Sequence, residues 1–163
     1  MTATQDDTKD GFLQAEDDAE DILARYGITK PPVPTGIIKK VFPNCTIDIL
    51  HFSDEAFGFT FPSKGQWHML IDSEIPMGAK RLTAFHEFYH MLKHEAGFSK
   101  ENPETNFQHS TANFFAICLL MPARWFRKYW EQCEDIDVMA DIFSVSKSAV
   151  KYRLMGLQNY LAA

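Results

Sequence analysis

The stretch Ala84-Phe85-His86-Glu87-Phe88-Tyr89-His90 decides how the rest of the chain is interpreted. It contains an H-E-x-x-H motif in a segment whose apolar residues recur at steps of three and four, as on one face of a helix. In a helix, His86 and His90 lie one above the other, where two imidazoles can bind one zinc ion. Glu87 can then reach a water molecule on that metal. The motif predicts a buried helix with a zinc site and Glu87 as catalytic base; the alternative is a surface helix with two solvated histidines.

The composition indicates one compact domain without a membrane-spanning segment. Of the 163 residues, 45% are apolar and 13% aromatic, which is enough for a sizeable core. No apolar run approaches the roughly 20 residues of a membrane span, and the N-terminus lacks the pattern of a secretory signal. The three cysteines, Cys45, Cys118 and Cys133, are far apart and form no C-x-x-C pair. We therefore expect a reduced, cytoplasmic protein with ordinary core cysteines.

The net charge of −6 is concentrated at the N-terminus. Residues 1–21 contain eight acidic residues and one lysine, a net charge of −7, so the remainder carries +1. Residues 1–11 are predicted to form a flexible acidic tail, because they combine like charges with few apolar residues. The near-neutral body argues against a nucleic-acid partner, since such proteins usually show a basic surplus.

Helices and three short strands are predicted around the motif, which indicates the α+β class. Alternating runs at 46–50, 57–61 and 67–71 predict strands, and a turn at residues 63–65 joins the last two into a hairpin. We expect these strands to form a small three-stranded antiparallel sheet. The predicted helices span residues 12–26, 79–93, 110–120, 124–132, 137–143 and 146–160.

A zinc peptidase needs a third protein ligand and one open coordination position for water. The helix after the motif opens near His109, which is the candidate third ligand; the alternative is an exposed residue at the end of a loop. Asn113 lies four residues later on the same face, where it can brace a motif histidine. Glu104, in the preceding loop, is the second candidate ligand. His94 lies eight residues after His86, about 80° round the helix, and is expected to face away from the metal.

The C-terminal residues 137–151 have the pattern of a helix-turn-helix, with Ser146 as the cap of the second helix. Lys147, Lys151 and Arg153 are predicted to be exposed cations that could contact phosphates. The acidic residues of the first helix and the near-neutral body instead favour packing on the core or recognition of a partner.

Several segments together resemble the ImmA/IrrE family of zinc metallopeptidases, and the resemblance covers roughly residues 20–158. The matching segments are Arg81 to His90 (RLTAFHEFYH), Thr111 to Pro122 (TANFFAICLLMP), Phe143 to Ser146 with Val150, Arg153 to Leu157 (RLMGL) and the connector Pro31 to Pro34. The resemblance implies a zincin-like metallopeptidase core at 12–130, followed by a helix-turn-helix-like segment at 131–163 packed on it. It also implies a zinc endopeptidase of regulatory type. The resemblance further implies that the partner of this chain is a specific protein substrate, such as a helix-turn-helix repressor encoded nearby in a mobile element or stress operon.

The chain departs from this family at two positions. Tyr89 stands where the family usually has glycine. The family also tends to carry an acidic third ligand a few positions before the Ala112-Asn113 pair, and none of residues 108–111 is acidic. His109 lies four residues before Asn113 and would replace that acid; if the ligand position is Thr111, the site lacks its third ligand. The sequence thus predicts a zinc (Zn²⁺) endopeptidase with ligands His86, His90 and His109. The alternatives are a weak or inactive peptidase-fold module that binds a regulator or toxin, and a DNA-binding regulator.

Overall fold

The computed structural model describes residues 5–52, 56–93 and 106–161 of the chain. These residues form a mostly helical α+β fold, as predicted, and none of their helices is both long and apolar enough to cross a membrane. The elements are α1 (Gln5–Arg25), α2 (Ile37–Val41), β1 (Cys45–Leu50), β2 (Gly58–Ser63), β3 (Gln66–Asp72), α3 (Met77–Lys93), α4 (Asn106–Leu120), α5 (Ala123–Cys133), α6 (Ile136–Phe143) and α7 (Lys147–Leu161).

The three strands form a mixed sheet in the order β1-β3-β2. Strands β2 and β3 are an antiparallel hairpin, as predicted, and its two turn residues both have positive φ, 50° at Lys64 and 76° at Gly65. Such a turn matches the twist of the strands, and Gly65 adopts it without strain. Strand β1 instead runs parallel to β3, so the prediction of an entirely antiparallel sheet is wrong. Alternating apolar residues define the faces of a strand but carry no information on its direction.

Helix α3, which carries the H-E-x-x-H motif, lies between the sheet and α4. Every residue of α3 from Ala84 to Met91 is buried, as the apolar pattern predicted. Helix α4 is apolar on most of its faces because it packs on α3 on one side and on α1 on the other. Its Phe115 lies 6.2 Å from Phe88 and 4.6 Å from Tyr89, measured between ring centroids. The motif helix is thus held in the centre of the domain.

Helix α1 begins at Gln5, seven residues before the predicted start at Phe12. The helix ends at Arg25, and Gly27 follows it in the predicted left-handed conformation: its φ is 64°, and the N–H of Ile28 donates to the carbonyl of Leu23 at 2.9 Å. The division of the chain into a tail, a core and a C-terminal segment, with boundaries after residues 11 and 130, stays a prediction.

Helices α6 and α7 pack together near the start of α3, and Ser146 caps α7 by accepting a hydrogen bond from the N–H of Ala149 at 3.1 Å. The prediction that Arg153 is exposed is wrong, because its side chain is only 4% exposed. Arg153 donates to the carbonyl of Met121 at 3.0 Å and to a carboxylate oxygen of Glu16 at 3.0 Å. It therefore joins α7 to the end of α4 and to α1.

Candidate metal centre

The motif histidines His86 and His90 are buried on α3, with 6% and 7% of their surfaces exposed. Their Nε2 atoms are 3.0 Å apart. Two nitrogens bound to one tetrahedral zinc at 2.0–2.1 Å would be about 3.3 Å apart. The two imidazoles therefore converge at a spacing that suits a shared metal ion with only a small adjustment.

Asn113 on α4 lies against the other nitrogen of His86. Its Oδ1 is 2.8 Å from Nδ1 of His86. Because a carbonyl oxygen only accepts hydrogen bonds, Nδ1 carries the proton and donates it, and Nε2 keeps its lone pair. Histidines that bind metals are typically oriented in this way by a partner on the opposite ring nitrogen. The donor chemistry of His86 thus fits a metal ligand.

Glu87 is also buried, at 7% exposure, and lines the same cleft as His86 and Asn113. This cleft has a volume of about 430 Å³ and is bounded by α3, by α4 and by residues 56–58 at the start of β2. A carboxylate next to a histidine in such a cleft is well placed to accept a proton from a water molecule.

The third predicted ligand, His109, lies in the first turn of α4. Its ring centroid is 4.7 Å from that of His86, and it lines the same cleft. Within residues 5–52, 56–93 and 106–161, however, no three His, Cys, Asp or Glu side chains are arranged as a complete metal-binding group. Glu104 and His94 lie outside the described residues. The described part of the chain supplies two converging nitrogens, and the identity of the third ligand stays a prediction.

The edge of the sheet runs directly beside the motif helix at Gly58. A side chain could not be accommodated there, because a Cβ atom would lie 2.6 Å from Cγ2 of Thr83 and 2.8 Å from the carbonyl oxygen of Leu70. The same Cβ would be 3.8 Å from Cγ of Glu87. The sequence prediction did not include residues 56–58 in the site. A glycine inside a strand pattern was the available signal, because it often marks a close backbone approach.

Strand β2 can also offer backbone hydrogen bonds toward the cleft. The carbonyl of Phe57 accepts from the N–H of Asp72 on β3 at 2.9 Å. Because the groups of successive residues point to opposite sides of a strand, those of Gly58 and Thr60 are directed to the other edge. No strand in the described parts of the chain pairs with that edge. An extended peptide could therefore be added to β2 alongside α3.

Tyr89, which stands where the resemblance predicts glycine, does not line this cleft. It is buried against Phe115, and the ammonium group of Lys93 lies 5.3 Å from the centre of its ring. The larger residue at this position therefore contributes to the packing of α3 on α4.

Comparisons with known proteins concern the family and the fold of the chain. Residues 38–155 match the family Peptidase M78, described as an IrrE N-terminal-like domain. No curated protein matches the chain significantly. Among solved structures, a Mycobacterium tuberculosis transcriptional regulator is similar, with a TM-score of 0.66 and 18% identity. This match covers 90% of the present chain and 50% of the regulator, so the chain spans about half the length of that protein. At such low identity the likeness concerns the fold alone.

Proposed function

Because the chain belongs to the IrrE N-terminal-like family of peptidase domains, we propose that it is a zinc-dependent endopeptidase that cleaves a specific protein substrate. The observation that carries this proposal is the convergence of His86 and His90, whose Nε2 atoms are 3.0 Å apart. Asn113 orients His86 for metal binding, and Glu87 lines the same cleft. A shared metal ion would replace the contact between the two Nε2 atoms and would leave the contact between His86 and Asn113 in place.

In the proposed mechanism, His86 and His90 hold the metal together with His109 or Glu104. When bound, zinc supplies a Lewis acid that activates water and polarises the scissile carbonyl group. Glu87 accepts the proton of the attacking water and transfers it to the amine that leaves. Asn113 keeps the proton of His86 on Nδ1, which leaves Nε2 available as a ligand.

Strand β2 orients the substrate in this proposal. An extended segment would pair with the backbone groups of Gly58 and Thr60, which places it beside Glu87. Pairing of the substrate with β2 would stop at Pro62, because proline has no N–H to donate. The substrate we propose is a transcriptional repressor of the helix-turn-helix type in the cytoplasm, and support for this finer assignment comes from the family resemblance.

The experiment that tests the proposal replaces Glu87 with Gln, which keeps the size of the side chain but removes its basicity. We expect the variant to bind zinc as the wild type does and to lose about 10²–10⁴-fold in the rate of peptide cleavage, the usual contribution of a general base. Zinc content is measured by elemental analysis, and cleavage is measured on co-purified repressors and on an unfolded protein. Glu131→Gln, on the exposed surface of α5, is the matched control and should retain full activity. Undiminished cleavage by Glu87→Gln would rule out the mechanism.

A non-catalytic module that binds a regulator or toxin is the second candidate. The described residues contain no complete three-donor group, and the candidate ligand Glu104 lies outside them. The similar transcriptional regulator, of which the match covers 50%, is compatible with such a module. Protein that takes up no zinc after zinc is supplied, yet still binds a partner, would support the module over the enzyme.

A DNA-binding role has less support from the C-terminal helices. Arg153 is buried against Glu16 and cannot meet a phosphate. Lys147 is exposed, but its ammonium group lies 2.8 Å from the carboxylate of Asp137. The hydrogen bond from Lys147 to Asp137 raises the pKa of the lysine. A gel-shift experiment on the protein's own promoter would show a retarded band only if this role applies.

A further inference from the structure

A second cavity lies on the side of α3 that faces away from the histidines. It is bordered by Met77 and Arg81 on α3, whereas the cleft is bordered by Thr83 and His86. By the 100° step of a helix, these two sets of residues occupy roughly opposite faces. The cavity opens at the β1 edge of the sheet and the cleft at the β2 edge. The two sites are therefore separate, with the motif helix between them.

The walls of this second cavity are mainly aliphatic. Its volume is about 530 Å³, which is within the usual range for small-molecule sites. Ile38 and Ile71 are buried at 0% and 4% exposure and form the floor. Ile49 and Met77 are 57% and 67% exposed at the mouth. A ligand with an apolar body could cover these side chains and remove them from water, which is favourable in proportion to the area covered.

All the charged residues that line this cavity are cations. They are Lys39 on α2 with Lys80 and Arg81 on α3, and no acidic residue of the described chain lines the cavity with them. The ammonium group of Lys80 donates to the carbonyl of Ser73 at 2.8 Å, a neutral acceptor. Three positive charges around an aliphatic floor favour a ligand that is negatively charged at one end.

Arg81 is the strongest indication of an anionic ligand. Its guanidinium group donates from Nε to the carbonyl of Ser144 and from Nη2 to the carbonyl of Val33, both at 2.8 Å. It is half-buried, and no ion pair within the described residues includes it. Burial lowers the pKa of Arg81, because the charged form loses solvent that no carboxylate replaces. The two carbonyls position this group, and an anion would neutralise it.

We propose that the cavity between α2, β1 and α3 binds a small amphipathic organic anion. Its carboxylate or phosphate group would lie against Lys39, Lys80 and Arg81, and its hydrocarbon part would cover Ile38 and the neighbouring aliphatic side chains. Binding would stabilise the contacts that hold the N-terminal half of α3, because Arg81 also joins this helix to the α6–α7 turn. The site does not depend on peptidase activity.

The test is isothermal titration calorimetry of the full chain with octanoate and with octyl phosphate. These probes share the hydrocarbon and differ in the head group, so they distinguish a carboxylate ligand from a phosphate ligand. We expect one binding site per chain for at least one of them. Octyltrimethylammonium, acetate and inorganic phosphate are the controls, and none of them should bind saturably because each lacks the anionic head or the hydrocarbon.

Substitutions of residues that line this cavity test whether the anion binds there. The double variant Lys39→Gln, Lys80→Gln should weaken binding about five- to tenfold, as expected for two partly solvated charge contacts. Lys40→Gln, the neighbour on α2 that does not line the cavity, is the matched control and should leave binding unchanged. Ile47→Trp, which fills the cavity, should abolish binding, and its circular dichroism spectrum should match that of the wild type.

Three results would overturn the proposal. The first is that neither anion binds saturably to the wild-type chain. The second is that octyltrimethylammonium binds as tightly as the anions. The third is that Lys40→Gln weakens binding as much as the double variant does. None of these measurements requires cleavage or zinc, so failure of the proposed peptidase function would be seen separately with Glu87→Gln.

Discussion

Replacement of Asn113 by Ala tests whether this residue prepares His86 to bind zinc. In the wild type, the amide oxygen of Asn113 accepts the proton of Nδ1 of His86 at 2.8 Å. Alanine removes that acceptor while it preserves helix α4, because alanine is the best helix former. His86 would then lose the acceptor that keeps its proton on Nδ1 and could carry the proton on Nε2, the nitrogen that faces His90.

The expected loss of zinc affinity follows from this contact. Removal of a partner that orients a metal-binding histidine typically costs 10–100-fold in affinity, or about 1.4–2.7 kcal/mol. Because Asn113 is only half-buried, water can partly replace its oxygen, so we expect a loss near tenfold. Without zinc, the variant should lose only about 0.5–1.5 kcal/mol of unfolding free energy, the net value of one hydrogen bond.

Zinc affinity is measured by competition with a fluorescent chelator, and stability is measured by urea unfolding of the zinc-free protein. Asn113→Asp is the matched control, because it keeps an acceptor oxygen in place and should bind zinc at least as tightly as the wild type. The reasoning is refuted if Asn113→Ala binds zinc with wild-type affinity, or if Asn113→Asp loses as much affinity as Asn113→Ala.

Two further predictions concern the core. Replacement of Arg153 by Met should lower the free energy of unfolding by about 2–4 kcal/mol in a urea titration, because it leaves the carboxylate of Glu16 on α1 without its buried partner. The control Lys151→Met, at an exposed position, should change the free energy of unfolding by less than about 0.5 kcal/mol. Equal effects of the two variants would contradict the buried pairing of Arg153 with Glu16. Burial raises the pKa of the Cys118 thiol to about 12 and also raises that of Cys45. In the native protein a thiol reagent near pH 8 should therefore modify the half-buried Cys133 first, and the two buried thiols should react only after unfolding. Rapid modification of Cys118 in the folded protein would contradict this order.

The helices around the site were predictable because their signals are local. The motif helix was predicted at 79–93 and spans Met77–Lys93. The following helix was predicted to end before Met121 and ends at Leu120. In both segments the apolar spacing acts over one or two turns, and Pro122 follows the second helix, so these helices can be predicted from the sequence.

The direction of β1 and the burial of Arg153 were not predicted, because both depend on contacts between distant segments. Strand β1 pairs with a strand that begins about 20 residues later, and alternation is the same for either direction. In the structure, Arg153 lies on the same buried face of α7 as Val150 and Leu157. Its charge indicated exposure, and only the structure reveals the partner on α1 that makes burial possible.

The cleft illustrates the same limit at the site itself. His86, Glu87 and His90 were identified from their spacing in one helix, and the structure brings them together with Asn113 from a second helix. The approach of β2 at Gly58 arises from packing of the sheet on the helix; a glycine within a strand pattern marks a close backbone approach but does not identify the element that is approached.

X-ray absorption at the zinc edge tests the central claim, that His86 and His90 bind a catalytic zinc ion, most directly. Purified protein is loaded with zinc and measured beside the variants His86→Ala and His90→Ala. We predict about one zinc per wild-type chain, bound by imidazole nitrogens at 2.0–2.1 Å, and a loss of this coordination in both variants. Zinc that is absent from the wild type, or zinc whose coordination is unchanged when either histidine is removed, would contradict the account.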